Sequence, residues 1–338
     1  MSTPVVKLQN LQLSVVGPDG DLPILRDVEL EVARGETIGL VGESGSGKSM
    51  TLRAIAGMTP PASRLAGHIE VDGVDVLGLS GRALREIRRS KLGFVFQDPR
   101  AAVNPLRRVQ DLFLEDFAGP RSGRGAHLAA ATQLLAEMGV NDPECRLRQF
   151  PFELSGGLLQ RVLIASVLIK EPEVLLADEP TTALDVTSQS DVLALTQTLR
   201  ERRSTAMVFV THDLDLAVAV CDRILVMYAG RVVETLDDAG RASNARHPYT
   251  RGLLACRPEI RRRLTPLPVI PGNPARAADT ARGCPFRSRC PIAIDRCIDE
   301  LPDADQYPDG WVRCHRHQDV ADGTADALAG TLDTAQGA

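Results

Sequence analysis

One short run of the sequence combines glycines, serines and a single lysine directly after an apolar stretch. It consists of Gly42, Glu43, Ser44, Gly45, Ser46, Gly47, Lys48 and Ser49. Glycines let the backbone approach phosphate oxygens closely, and successive N–H groups at a helix start attract an anion. Lys48 can reach the β and γ phosphates of a nucleotide, and the Ser49 hydroxyl can bind Mg²⁺. The run therefore predicts a phosphate-binding P-loop rather than a plain turn rich in Gly and Ser.

A second candidate follows the apolar residues Val174–Ala177, where the sequence continues as Asp178, Glu179 and Pro180. Here Asp178 can hold Mg²⁺ through water, and Glu179 can orient or deprotonate an attacking water. An acidic pair after an apolar strand is a weak signal alone, because the end of any strand needs polar residues. Beside a P-loop it predicts a Walker-B arrangement for ATP hydrolysis.

A third candidate, at Ser155, Gly156 and Gly157, precedes an apolar helix predicted over 158–169. A serine hydroxyl, glycine N–H groups and the helix dipole can form a second anion site. Taken alone, Ser-Gly-Gly is more often only a helix cap. With Leu154 before it, the run resembles the signature sequence of the ATP-binding-cassette (ABC) family. In that family the signature contacts the γ-phosphate of ATP bound to the opposite subunit.

Three further segments resemble ABC motifs, in the order that the family has. Gln97 in the run FVFQDP is similar to the Q-loop glutamine, which in the family contacts Mg²⁺ and the membrane partner. Asp185 in the run ALD resembles the D-loop. His212, after an apolar strand, resembles the switch histidine, which in the family senses the γ-phosphate. The resemblance covers residues 5–235. It implies an ATPase with Glu179, His212 and Gln97 in the catalytic site.

Two positions depart from the common ABC pattern. The aromatic residue that usually stacks on adenine is replaced by Val15, which predicts apolar packing against the base. After the signature glycines the chain has Leu158 and Leu159, where the family commonly has a polar pair or glutamine. Neither departure removes a catalytic group.

The composition narrows the class of protein further. The 338 residues include 44 acidic and 39 basic side chains, a formal net charge of −5, which argues against a nucleic-acid-binding surface. The longest apolar run, at 162–169, is far shorter than the roughly 20 residues of a membrane-spanning helix. The N-terminal residues MSTPVVKLQN lack the apolar core of a signal peptide. We therefore expect the protein to stay in the cytoplasm, and the ABC resemblance implies a peripheral position at the cytoplasmic face of the cell membrane.

The elements that must position these residues are predicted from hydrophobic periodicity. Residues 5–36 alternate apolar and polar around a GPDGD turn, which predicts an N-terminal antiparallel β subdomain. Buried strands are predicted at 37–41, 174–178, 206–211 and 223–228, and helices at 48–58, 187–202 and 213–221. This alternation predicts an α/β fold with a parallel sheet covered by helices on both faces. A helical subdomain inserted at about 100–157 interrupts it.

The C-terminal third narrows the family resemblance. The run QDP at 97–99 is followed by Asn104 and Pro105, and HPYTRGLL at 247–254 precedes a proline-rich connection to a small cysteine-containing module. These features resemble the ATPase subunits of bacterial dipeptide and oligopeptide importers, a subfamily that also includes nickel and glutathione relatives. The expected domains are an ABC domain over 1–240, a C-terminal module over 241–318 and a disordered acidic tail over 319–338.

The resemblance implies a function and a set of partners. Two cassettes would sandwich two ATP molecules and drive two membrane permease subunits, supplied by an extracytoplasmic substrate-binding protein. We favour a heterodimer with a second ABC ATPase subunit over a homodimer. The alternatives are a nickel or glutathione importer, an exporter ATPase, a non-hydrolysing subunit and a soluble ABC protein of DNA repair or translation. Glu179 and His212 oppose the non-hydrolysing subunit, and the sequence has no coiled-coil insertion typical of the soluble class.

Four cysteines lie close together in the C-terminal module: Cys284, Cys290, Cys297 and Cys314. A reducing cytoplasm disfavours disulfides, and so small a module needs a staple to fold. Four thiolates suit either Zn²⁺ or an iron–sulfur cluster. Their spacing, C-x5-C-x6-C-x16-C, lacks the tight pairs typical of structural zinc sites. The importer resemblance favours a [4Fe–4S] cluster, because related ATPases carry one in this region; zinc and four unligated thiols are the alternatives.

Overall fold

The computed structural model describes residues 3–18, 20–115, 117, 119–182, 186–256, 269–280 and 282–325, without the side chains of 186–188. It divides into two compact units. The helical unit comprises Met1–Val6, Glu31–Glu36 and Glu70–Phe209, and the P-loop unit comprises Lys7–Leu30, Thr37–Ile69 and Val210–Ala338. The expected domain boundary at residue 240 falls inside the P-loop unit and stays a prediction.

Strands and helices are numbered along the chain. Within the described ranges the strands are β1 (Val6–Gly17), β2 (Gly20–Val32), β3 (Thr37–Val41), β4 (Ser63–Val71), β5 (Val74–Asp75), β6 (Leu92–Val95), β7 (Val174–Asp178), β8 (Ala206–Thr211), β9 (Arg223–Tyr228), β10 (Arg231–Leu236), β11 (Asp305–Tyr307) and β12 (Gly310–Val312). The α-helices of the same ranges are α1 (Lys48–Ile55), α2 (Gly81–Ser90), α3 (Val109–Leu114), α4 (Arg124–Glu137), α5 (Pro143–Arg148), α6 (Gly156–Leu168), α7 (Val186–Arg203), α8 (Leu214–Val220), α9 (Pro248–Ala255), α10 (Arg296–Asp299) and α11 (His317–Ala321).

In the helical unit, short apolar strands form a buried parallel arrangement. β6 pairs with β7 from Leu92↔Val174 to Val95↔Ala177, and β7 has β8 as its other neighbour. Every residue of β7 is buried, as expected for a parallel strand that is covered on both faces. Helices α3, α4, α5 and α6 pack on one another, which confirms the inserted helical subdomain.

In the P-loop unit, parallel and antiparallel strands meet in the order β11-β12-β10-β9-β3. β3 and β9 are parallel from Ile38↔Arg223 to Val41↔Val226, whereas β10, β11 and β12 are antiparallel to their neighbours. The chain reverses between β9 and β10 at Ala229 (φ 48°) and Gly230 (φ 77°). Two positive φ angles in a two-residue turn are typical of a tight hairpin. The predicted parallel sheet is therefore confirmed for β3 and β9 and is extended by an antiparallel edge.

The N-terminal strands form a sheet of their own in the P-loop unit, in the order β2-β1-β4. Leu8, Leu11 and Leu13 of β1 are buried while the residues between them are more exposed, and this alternation is what one-sided burial requires. The antiparallel β subdomain is thus confirmed. No helix in the described part of the chain is both long and apolar enough to cross a membrane.

The C-terminal segment continues as a helix beyond the point where a disordered tail is predicted. α11 extends to Ala321, and Val320 packs with Ile292 and Ala325 in a small buried cluster. Because Val320 and Ala325 pack in this cluster, the chain is ordered past residue 319. Residues 326–338 of the predicted tail lie outside the described residues.

A buried carboxylate joins the C-terminal segment to the sheet. Glu234, at an irregularity in β10, is fully buried. Its Oε1 atom accepts hydrogen bonds from the N–H groups of Arg246 (2.5 Å) and His247 (3.1 Å) and from the Tyr307 hydroxyl (3.3 Å). Burial raises the pKa of Glu234 to about 7, although these hydrogen bonds oppose the shift. One carboxyl group thereby holds the start of α9 and strand β11 against β10.

We expect the stability of the protein to depend on pH through Glu234. Its pKa is about 7 in the folded state and 4.5 as an unperturbed group, so folding binds a proton between these values and stability falls as pH rises through them. Glu234→Gln removes this titration. From about pH 6 to about pH 8, wild type should therefore lose about 1 kcal/mol of stability relative to Glu234→Gln, as measured by urea unfolding of both proteins.

Two features make this comparison specific. Burial lowers the pKa of His247 to about 3, which gives a slope of opposite sign below about pH 6.5, but His247 is present in both proteins and cancels in the difference. Glu201→Gln, at an exposed position, controls for the loss of one carboxylate. A difference between wild type and Glu234→Gln that is constant across this pH range would contradict the assignment.

Candidate nucleotide-binding site

Two glycines of the P-loop occupy positions that other residues could adopt only with strain. A Cβ atom on Gly42 would lie 2.2 Å from the carbonyl oxygen of Met227 and 2.9 Å from the Ser46 hydroxyl, which excludes any side chain. Gly47 caps the start of α1 with φ 108°, a backbone conformation that residues with a side chain rarely adopt. The loop is thus folded tightly at the N-terminal end of α1, with its backbone available to an anion.

Lys48 and Ser46 are both buried polar residues of this loop. Lys48 is 5% exposed, and its Nζ atom donates to the carbonyl oxygens of Gly42 (2.6 Å) and Glu43 (2.9 Å). The Ser46 hydroxyl is buried and has no hydrogen-bond partner among the described residues. A buried ammonium group beside an unsatisfied buried hydroxyl and a helix N-terminus fits an oxyanion such as phosphate. Ser49 is half-buried in the first turn of α1.

In the helical unit, parallel pairing of β6 and β7 brings two predicted residues together. Gln97 follows β6, and Asp178 and Glu179 stand at the end of β7. Because the carboxyl ends of parallel strands meet at one edge, the Nε2 atom of Gln97 reaches Glu179 Oε2, at 3.0 Å. The Thr182 hydroxyl donates to the same oxygen at 2.9 Å. The two hydrogen bonds fix the direction of the Glu179 carboxylate.

Asp178 and Glu179 differ in environment although they are adjacent. Asp178 is 2% exposed, whereas Glu179 is half-buried and adopts φ 44°. A positive φ at a non-glycine residue is uncommon and turns the chain sharply. The two carboxylates therefore differ in their access to solvent. A buried acid and a partly accessible acid can then take different roles, as metal ligand and as base.

The signature run is the start of a helix. Ser155 is exposed and caps α6, its hydroxyl accepting from the N–H of Leu158 at 3.3 Å. Gly156 and Gly157 are half-buried in the first turn. An exposed helix N-terminus with no side chains on its first two residues leaves N–H groups accessible to an anion.

The other predicted site residues are less fully placed. His212 is exposed at the end of β8, next to Asp213, whose carboxylate caps α8. Val15 is half-buried on β1. Asp185 and the D-loop run lie outside the described residues. The P-loop, Val15 and His212 belong to the P-loop unit, and the other placed residues of the nucleotide site belong to the helical unit.

Two contacts of the P-loop were not predicted from the sequence. The N–H of Glu43 donates to the Tyr249 hydroxyl at 2.7 Å, and the carboxylate of Glu43 forms an ion pair with Arg289. Tyr249 belongs to the HPYT run, which the sequence analysis linked to peptide-importer ATPases but not to the P-loop. Arg289 is 246 residues away from Glu43, so no local pattern could indicate the pair.

The four C-terminal cysteines share one small, mostly enclosed cavity. Cys284, Cys290, Cys297 and Cys314 line it together with His247 and Phe286, among others. All four are free thiols. Burial raises the pKa of Cys284 and of Cys314 to about 12, with the neighbouring thiols acting in the same direction.

The shared cavity fits a group that several cysteines surround. However, no set of three or more His, Cys, Asp or Glu side chains in the described ranges is arranged to hold a single metal ion. Tetrahedral zinc needs four sulfur atoms at about 2.3 Å from one point, and that arrangement is absent from these residues. Metal binding by the cysteines stays a prediction.

Comparison with known families gives two matches along the chain. Residues 25–182 match the ABC transporter family, and residues 233–297 match the oligopeptide/dipeptide transporter C-terminal region. The second match begins beside Glu234 and includes both Tyr249 and Arg289. The matched regions therefore contain the P-loop and the residues that contact Glu43.

Similar proteins cover almost the whole chain. The "Probable D,D-dipeptide transport ATP-binding protein DdpD" of Escherichia coli (strain K12) is 42% identical over 320 residues, which span 93% of this chain and 96% of the relative. The dipeptide transport ATP-binding protein DppD of Bacillus subtilis (strain 168) is 37% identical over 316 residues, 93% and 92% of the two chains. The oligopeptide transport ATP-binding protein OppD of Salmonella typhimurium (strain LT2) is 35% identical over 310 residues, 91% and 92%.

Solved structures support the same grouping. The ATP-binding cassette MJ0796, in a dimeric post-hydrolysis state bound to ADP and Pi, superposes with a TM-score of 0.61 at 31% identity over 68% of this chain and 97% of that chain. A further dimeric structure of MJ0796 gives a TM-score of 0.60 at 31% identity, over 67% and 96%. This chain thus belongs to the ABC transporter family, among the ATP-binding proteins that carry the oligopeptide/dipeptide transporter C-terminal region.

Proposed function

We propose that this chain is the ATP-hydrolysing subunit of a membrane importer of dipeptides or oligopeptides. The observation that carries the proposal is the pairing of Gln97 with Glu179, in a chain that also matches the oligopeptide/dipeptide transporter C-terminal region. A glutamine that contacts the catalytic acid can link ATP hydrolysis to a partner bound nearby. Membrane permease subunits are the partners that a cassette of this family requires.

The residues of the P-loop supply binding. Lys48, the Ser46 hydroxyl and N–H groups between Gly42 and Ser49, other than that of Glu43, which donates to Tyr249, hold the phosphates of ATP. Ser49, Gln97 and Asp178 offer hydroxyl, amide and carboxylate oxygens, the hard donors that suit Mg²⁺. When bound, Mg²⁺ neutralises charge on the phosphates.

Glu179 of the helical unit supplies the chemistry. The Glu179 carboxylate is held by Gln97 and Thr182, and we propose that it accepts a proton from a water that attacks the γ-phosphate. His212 and Asp185 complete the site at the γ-phosphate and at the partner cassette. A base held by two hydrogen bonds needs little reorganisation before the proton moves.

The signature run supplies a site for a second cassette. Ser155, Gly156 and Gly157 contact ATP held by the P-loop of the partner, which we propose is a related ATPase subunit rather than a second copy. An exposed groove in the helical unit, lined by Phe150 and Phe152 among others, offers an apolar surface to permease subunits. An extracytoplasmic binding protein would deliver the peptide to the permease subunits. This chain would then act at the cytoplasmic face of the membrane.

The cysteine cavity is proposed to hold a [4Fe–4S] cluster, with zinc as the alternative. Cys284, Cys290, Cys297 and Cys314 would be its ligands. The observation in favour of a shared group is that all four cysteines line one cavity. When bound, the cluster cross-links the segments that carry the four cysteines and stabilises the C-terminal segment, since ATP-driven transport needs no redox step.

We expect Glu179→Gln to retain ATP binding but to lower the ATPase rate of the assembled transporter by roughly 10²-fold or more, the scale of losing a positioned base. The amide keeps the shape of the side chain and its contact with Gln97, but it cannot accept a proton. ATP should then accumulate in a closed cassette dimer. The rate is measured by phosphate release. Glu171→Gln, a substitution of an exposed acid in the same unit, is the control. A rate near that of wild type in Glu179→Gln would remove Glu179 from its assigned role.

We expect Ser155→Arg to abolish hydrolysis at the site shared with the partner cassette, because a bulky cation then occupies the helix N-terminus that receives the phosphate. The isolated chain should bind ATP as wild type does, since its own P-loop is unchanged. Nucleotide affinity of the isolated chain and ATPase activity of the assembly are the two measurements. Thr198→Arg, at an exposed position on α7 outside the groove, controls for an added surface arginine. Equal loss of binding in the isolated chain would show that the signature does not act in trans.

We expect anaerobically purified protein to be brown, to absorb near 400 nm and to contain about four iron atoms per chain. Cys290→Ser should lose the iron, whereas Cys145→Ser, at an exposed cysteine outside the cavity, should keep it. Stoichiometric zinc in a colourless preparation would replace the cluster but keep the site. Protein without any metal would contradict both.

A further inference from the structure

The P-loop carries a carboxylate at its second position, where an anion must bind. Glu43 is held there in two ways. Its N–H donates to the buried Tyr249 hydroxyl at 2.7 Å. Its two carboxylate oxygens accept from the Nη1 and Nη2 atoms of Arg289, at 2.6 and 3.0 Å. This bidentate arrangement is the strongest geometry that an arginine and a carboxylate can form.

The guanidinium group of Arg289 is buried and fixed in direction. Its side chain is 3% exposed, against 25% for Glu43. Its Nε atom donates to the carbonyl oxygen of Pro271 at 2.8 Å, and Nη2 also contacts the carbonyl oxygen of Ile270 at 3.3 Å. Since every donor direction has an acceptor, the side chain cannot turn away without leaving buried polar groups unpaired.

Arg289 belongs to the segment that carries the cysteines. It immediately precedes Cys290, and the same segment places Phe286 in a buried aromatic cluster. The ring of Phe286 lies 5.3 Å from that of Tyr228 and 5.4 Å from that of Tyr249, between centroids. Tyr228 ends β9, the strand that pairs with β3 directly before the P-loop. The position of Arg289 is therefore set by packing of the cysteine segment against the strand and helix that adjoin the loop.

The charge of Glu43 gives this contact a consequence for nucleotide binding. A triphosphate and a carboxylate in the same short loop repel each other, and the repulsion is larger where water is excluded. Arg289 neutralises the carboxylate from a buried position. Removing the arginine leaves a partly buried, unpaired negative charge in the loop.

We propose that Arg289 is a positioning residue for nucleotide binding: by neutralising and holding Glu43, it makes the affinity of the P-loop for triphosphates depend on the C-terminal cysteine segment. The proposal rests on the proposed role of the P-loop as the ATP site. Arg289 acts through Glu43 and need not touch ATP. Any change that displaces the cysteine segment would then weaken ATP binding.

The test uses the full chain and measures the dissociation constants of ATP and of AMP for four proteins: wild type, Arg289→Met, Glu43→Gln and the double variant. Arg289→Met should weaken ATP binding about tenfold or more, the scale of losing hydrogen bonds to a charged group. It should weaken AMP binding less, because AMP carries fewer negative charges. In the double variant, loss of the carboxylate should return ATP affinity to within about threefold of wild type.

Restoration by Glu43→Gln is the readout that separates charge compensation from simple support of the fold. If Arg289→Met acted only by unfolding the cysteine segment, removing a second polar group would not restore binding. Arg287→Met is the matched control, because Arg287 lies in the same segment and, within the described residues, donates to the carbonyl oxygens of Arg282 and Cys284 rather than to a carboxylate. It should leave the affinity for ATP within about twofold of wild type.

Three results would overturn the proposal. They are unchanged ATP affinity in Arg289→Met, equal loss of ATP and AMP binding, or a double variant as weak as Arg289→Met. Should Arg289→Met fail to fold, Arg289→Lys is the substitute, because lysine keeps the charge but lacks the two parallel donors. Its affinity for ATP must then be lower than that of wild type and of Arg287→Met, by less than tenfold. Wild-type protein that does not bind ATP would instead refute the nucleotide site itself, an outcome distinguishable from all of these.

Discussion

The register of parallel strands determines which side chains of this protein meet. In the helical unit, pairing of Val95 with Ala177 ends β6 and β7 at the same edge, and the residues that follow are Gln97 and Glu179. In the P-loop unit, pairing of Val41 with Val226 sets Gly42 beside Met227. A shift of one residue would replace Gly42 by Glu43 at a contact where even a Cβ atom has no room. The positions of the glycine, the acid and the glutamine thus follow from two strand registers.

The same strands explain why the C-terminal segment is part of the P-loop unit rather than an appendage. β10 turns back along β9 and offers its free edge to β12. A sheet edge with unpaired N–H and C=O groups needs a covering strand or loop, and the C-terminal segment provides one. Glu234 strengthens the attachment, since its carboxyl group accepts hydrogen bonds from three groups of that segment. Separation of the segment would expose the edge and leave these donors unpaired.

Much of the fold could be predicted because its central strands are short, apolar and ended by polar residues. β3, β7, β8 and β9 have the predicted bounds. β10 was missed because Glu234 interrupts its apolar pattern, and a glutamate is normally read as exposed. α1 ends at Ile55, three residues early, since Gly57 adopts φ 60° and the chain turns there. The predicted residues of the nucleotide site follow local motifs, whereas the contacts of Glu43 depend on residues more than 200 positions away and leave no local signal.

A carboxylate is unfavourable in a loop that binds anions, because the like charges repel. Such a local conflict is expected where a distant contact compensates for it. Glu43 would be unfavourable beside phosphate if it were unpaired, and Arg289 would be unfavourable in its buried position without an acid. Each charge offsets the unfavourable free energy of placing the other in the loop or in the protein interior. Burial opposes the positive charge of Arg289, yet its hydrogen bonds with Glu43 and Tyr228 raise the pKa of the guanidinium above its ordinary value. Neither residue can be replaced alone without leaving a charge uncompensated, which makes the pair a specific link between the cysteine segment and the loop that binds ATP.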